Sequence, residues 1–171
     1  MSNPDPSTHE KILKALEALI LSAPAIFPTP TIDEPEPSLW QNVPGKPQLT
    51  HAMMVMDGGE PDVLAFVRGA EGDNTDELEV EVAVGYAVQA KPLPGQSTAD
   101  TRAARRAQRD STIRAFAELI ALNRNLGLGD EVFAEVAAPS RDDDVAFPDA
   151  LPAATAVIPV RVLYTGTDAA A

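Results

Sequence analysis

The stretch Leu78 to Ala90 constrains this chain most. Leu78, Val80, Val82, Val84, Tyr86 and Val88 share one parity; Glu79, Glu81, Ala83, Gly85, Ala87 and Gln89 share the other. Side chains alternate across a strand, so the pattern puts one apolar row on one face. The breaker Pro92-Leu-Pro-Gly-Gln-Ser97 follows, and then a run without Gly or Pro from Thr98 to Leu126 that predicts a long helix. A long strand feeding a long helix supplies a sheet and its cover.

The 171 residues suit a single domain, 1–171, with a real core. Aromatic residues are only 5%, so Ala, Val, Leu and Ile must build that core. The formal charge of −13 argues against a general nucleic-acid binder, which needs a basic surface, and against docking on anionic lipid. The absence of cysteine excludes disulfides, thiolate catalysis and cysteine-based zinc sites. No signal peptide is expected at the start, and the longest apolar stretch, Leu16 to Phe27, is interrupted by Glu17, Ser22 and Pro24. The expectation is a soluble protein made and used without export.

Ser7 and Glu10 have capping-box spacing, and Ile12, Leu13, Leu16, Leu19 and Ile20 then recur at helical spacing, giving a first helix over 7–23. Residues 24–47 hold seven prolines and predict an extended arm. Trp40, the only tryptophan, lies in it. It either pins the arm to its own core or anchors in a partner's pocket. Over 48–90 the pattern predicts an antiparallel meander of three strands, Leu49 to Met56, Asp62 to Arg68 and the long strand. Asp57-Gly58-Gly59 is a turn signal, and Gly69 to Glu77 is expected to be an acidic loop.

Arg102, Arg105, Arg106 and Arg109 are spaced to form one basic stripe on the long helix, 98–126. At about 1.5 Å per residue that helix is long enough to overhang a small domain, and Gly127 is its expected C-cap. Asp130 to Ala138 and Ala154 to Thr165 alternate as two further strands within 130–165. Pro139 to Pro152 is expected to be a loop carrying Asp142-Asp143-Asp144. Pro159 restricts its strand to an edge, a bulge or a place where the missing donor does no harm. The fold class is therefore α+β: a mainly antiparallel sheet of about five strands on two helices, with a proline-rich arm.

Chemistry is sparse. Gly95-Gln-Ser97 resembles a nucleophile elbow only in spelling, since Pro92 and Pro94 separate it from the strand, and Ser97 fits a helix cap better. His9 is expected at the surface and His51 half-buried. No catalytic, cofactor-binding or metal residues are expected. The basic stripe is either an exposed helix face or one side of a contact between copies. Its complement would be the acidic segment with Glu71, Asp73, Asp76 and Glu77 of a neighbouring copy. A contact between unlike regions closes a ring when repeated by rotation.

The order of helix, arm, three strands, long helix and two strands, ending in Ala156-Val-Ile-Pro-Val-Arg-Val-Leu-Tyr164, resembles the tail terminator and tail-completion proteins of long-tailed bacteriophages. The resemblance covers most of the chain from Thr8 to Thr165 and rests on element order, size and acidity. It implies a non-enzymatic virion protein of the tail and neck, assembled in the host cytoplasm. Such proteins form a ring, usually of six, on the last disc of the tail tube. The partners would be copies of itself, the tail tube protein and a neck or head-completion protein, with no membrane and no cofactor. DNA would only pass through an acidic lumen. A head–tail connector or other virion adaptor, and a small α+β ligand-binding domain or enzyme, are the alternatives.

Overall fold

The computed structural model describes residues 7–57, 62–68, 74–145 and 151–166, with backbone alone at 62–68, 74–76 and 144. Nine elements follow one another: α1 (Thr8–Leu21), β1 (Thr31–Ile32), β2 (Gln48–Met56), β3 (Asp62–Arg68), β4 (Asn74–Lys91), α2 (Thr98–Leu122), β5 (Phe133–Val136), β6 (Ser140–Val145) and β7 (Ala153–Gly166). The α+β class is as the sequence predicts. The strands join one sheet, antiparallel except for the two-residue β1, in the order β1-β2-β4-β7-β5, with β3 also on β4 and β6 also on β7.

The expected meander does not form, because β2 and β3 do not pair with each other. Both lie antiparallel along the same edge of β4, β2 against residues 83–91 and β3 against 74–79. The 18 residues of β4 reach about 60 Å at ~3.3 Å each, enough for two partners end to end. The expected acidic loop is shortened accordingly, since β4 already begins at Asn74. Gly58 and Gly59 of the turn signal lie outside the described residues. On the other edge of β4, β7 pairs from Asp76 to Gln89, and β5 and β6 follow each other along β7 in the same way.

The expected loop after Pro139 is thus partly strand. Three aspartates carry no apolar alternation, but β7 offers an open ladder that Ser140, Arg141 and Asp142 complete. Pro159 lies inside the sheet, opposite Ala83. Its carbonyl accepts from Ala137 N–H, in the break between β5 and β6. In an extended strand a residue's N–H and C=O point the same way, so the missing donor of Pro159 falls at that break.

Both helices cover one face of the sheet. Ile12, Leu13, Leu16 and Ile20 of α1, and Ile113, Phe116 and Ile120 of α2, bury against Val80, Val82, Val84, Ile158, Val160 and Val162 in one core. Phe27, after α1, meets Phe116 edge-on with ring centroids 6.3 Å apart. Ser97 caps α2: its hydroxyl accepts from Asp100 N–H, and the Asp100 carboxylate accepts from Ser97 N–H. Ser7 caps α1 by accepting from Glu10 N–H, but the Glu10 carboxylate bonds Lys14 and does not return to Ser7. The second helix ends at Leu122, four residues before the predicted stop, with Asn123 as its C-cap.

The proline-rich segment is tied to the edge of β2. Asp33 N–H donates to Val55 O, and the chain reverses at Asp33, whose φ is 61°. Ser38 N–H and Gln41 N–H then donate to His51 O and Leu49 O, both at 2.7 Å. An arm rich in proline offers few donors of its own, so it closes this edge against further pairing. These backbone bonds hold the arm in place; Trp40 is 41% exposed and outside the core.

Candidate interface and buried polar cluster

The four arginines do not form one stripe. Thr101, Arg105, Arg109, Thr112, Phe116 and Ile120 make one buried row on α2, and Arg102 and Arg106 lie on the exposed ridge beside it. Arg105 and Arg109 are 2% and 4% exposed. They continue the row that carries Phe116, so helical spacing could have placed them inside. The basic half of α2 also does not overhang: β6 runs alongside it.

Arg109 is held on several sides. Its Nε donates to Asp110 Oδ1 at 3.0 Å, and its Nη1 to Asp143 Oδ1 at 2.6 Å and to the Asp142 carbonyl at 3.1 Å. Arg106 Nη2 reaches the other oxygen of Asp143 at 2.8 Å, and Arg141 Nε lies 3.4 Å from Asp110. Hydrogen bonding from Arg109, with the charges of Arg106 and Arg109, holds the Asp143 carboxyl below its usual range. Burial opposes the charge of Arg109, yet its bonds to Asp110 and Asp143 outweigh that and raise its pKa. Arg106 and Arg109 thus find acidic partners within their own chain. Of the segment expected to supply them, Glu71 and Asp73 lie outside the described residues, Asp76 is described in backbone only, and Glu77 is exposed on β4.

A second polar cluster sits under α2. His51 is buried at 5% exposure, deeper than expected, and its Nδ1 lies 2.5 Å from the Tyr86 hydroxyl. Burial lowers the His51 pKa. Burial also pushes Tyr86 up to about 12, partly offset by Thr112 and Gln108. The tyrosine is legible in sequence only as a member of the apolar row. His9 is not a free surface group: its Nε2 lies 2.7 Å from Asp57, joining the start of α1 to the end of β2.

The sheet face away from the helices carries a row on β7 of Val157, Pro159, Arg161, Leu163 and Thr165. Val157 is 40% exposed and Leu163 38%. Arg161 lies 3.6 Å from Glu81 across the β4–β7 pair. At one end of this face Pro35 and Pro37 overhang Ala52, Ala87 and Ala153, leaving a groove of about 310 Å³. At the other, Glu77, Glu131, Phe133 and Leu163 line a second hollow of about 280 Å³. Among the described residues no helix is long and apolar enough to cross a membrane, and no three metal-ligating side chains gather. No protein-family model matches the chain, and no curated protein matches it.

Proposed function

We propose that this chain is a structural virion protein that forms a ring, usually of six copies, at the end of a long phage tail. The ring stops tube growth and offers its other face to the neck of the capsid. One observation carries the reading: the helices cover a single face of a long-stranded sheet and leave a mixed apolar and charged row on the other. A sheet face of this kind suits packing against another protein surface. The acidic balance of the chain suits a lumen through which DNA passes without adhering. Trp40, exposed on an arm fixed by backbone bonds, suits an anchor for the tube or the neck.

Incubating the purified chain with tail tubes tests this. Capped tubes of fixed length under negative stain support it. Tubes that continue to grow, beside a chain that joins capsid necks only, favour a head–tail connector. The groove under Pro35 and Pro37 favours a second reading, a small ligand-binding domain, because its volume is at the lower end of ligand pockets.

A further inference from the structure

The sheet ends at β5, and the outer edge of that strand carries open backbone groups. Ala137 N–H donates to Pro159 O, so by alternation Phe133 and Glu135 also bond toward β7. Ala134 and Val136 point their N–H and C=O groups the other way. Ala134 N–H is taken by the Arg124 carbonyl at 2.6 Å. Ala134 C=O and both backbone groups of Val136 have no partner among the described residues. Other edges are closed: the proline-rich arm lies on β2, and Arg109 Nη1 takes the Asp142 carbonyl of β6. Strand β5 has neither proline nor lysine to blunt it. Beside its open groups is a hollow of about 220 Å³, between Ala117, Ala121 and Arg124 of α2 and Ala134, Glu135 and Val136. The Arg124 guanidinium is turned to the Phe133 ring, 5.3 Å from its centroid. Glu135 has no ion pair among the described residues; Arg161, opposite it on β7, pairs with Glu81.

We infer that β5 receives an extended segment of a partner protein, added as one more strand at the edge of the sheet. Open donors and acceptors along a strand call for another backbone. The hollow falls short of the roughly 300 Å³ at which small-molecule pockets begin, and suits a single side chain. Side chains alternate across a sheet, so the residue opposite Val136 shares its face and enters the hollow between β5 and α2. Alanine at 117 and 121 keeps that flank of α2 low enough to admit an aliphatic group. The next residue of the segment, opposite Glu135, lies on the other face, where Glu135 favours Lys or Arg. The turn at Arg124 blocks pairing beyond Ala134, which fixes the register. The partner is thus an extended peptide that alternates an apolar residue with basic ones. This site goes beyond the ring reading and does not depend on it.

The probe is the peptide Thr-Lys-Val-Lys-Thr, blocked at both ends, titrated into the full chain and followed by amide NMR. The Val136 amide shifts and gains protection from hydrogen exchange as the peptide binds. N-methylation of the three central residues removes the peptide's donors and abolishes both effects. Ala121→Phe fills the hollow from an exposed position on α2 and abolishes them too. Glu135→Lys weakens binding about tenfold and turns the preference toward Thr-Glu-Val-Glu-Thr. A Val136 amide that the peptide leaves untouched, equal binding of the N-methylated peptide, or equal binding by the Ala121→Phe chain would overturn the site. Protection of Val136 that needs no peptide and grows with chain concentration would overturn the assignment to a partner and give the edge to a second copy.

Discussion

Arg109 Nη1 and Asp143 Oδ1 lie 2.6 Å apart, and this bond joins the middle of α2 to the edge strand β6. The guanidinium is buried and the carboxylate is 39% exposed, so the two partners do not respond alike to removal. We predict that Asp143→Ala lowers the melting temperature, because it leaves a buried cation with fewer acceptors. Arg109→Met costs less, because Asp143 can return to water. Thermal unfolding of both variants checks the order; a larger loss for Arg109→Met contradicts it.

His51 gives a pH dependence. Its pKa is lowered in the fold from an ordinary value of 6.5, so the unfolded chain binds the extra proton first. Its contribution is therefore complete above pH 6.5 and is lost as pH falls below that value toward the folded pKa. We predict a melting temperature that declines as pH falls below 6.5. In His51→Gln that slope flattens. An equal slope in the variant would refute the assignment.

The two faces of the sheet answer to the same substitution in opposite ways. We predict that Val82→Asp abolishes cooperative folding, since Val82 is fully buried and an unpaired charge there is strongly disfavoured. Val157→Asp leaves the fold intact, because Val157 is 40% exposed, but weakens self-association. Circular dichroism melts and light scattering on the two variants separate these outcomes. A cooperative melt for Val82→Asp would mean that the inner face is misassigned.

Loss of the α2 cap tests the local reading of Ser97. We predict that Ser97→Ala costs about 1 kcal/mol, or roughly 2–4 °C in melting temperature for a chain of this size. No measurable change would remove the cap from the account.

The alternation from Leu78 to Val88 and the apolar periodicity of Ile113, Phe116 and Ile120 were legible because each lies against a core that selects one face. Ser97 was legible because capping depends on only four adjacent residues. Strand β6 was not legible. Its pairing depends on β7, and its aspartates answer to Arg106 and Arg109, more than thirty residues earlier. The division of the arginines between a buried row and an exposed ridge depends on where β6 runs, so four cations at i, i+3, i+4 and i+7 looked alike. The end-to-end placement of β2 and β3 follows from the length of β4, whose first residues, Asn74 to Glu77, lack apolar alternation.

Native mass spectrometry of the purified chain, with negative-stain images of the same sample, tests the central claim most directly. The account predicts closed rings whose mass is a whole multiple of 18.1 kDa, six being the expected number. A single species of 18.1 kDa at every concentration would contradict it.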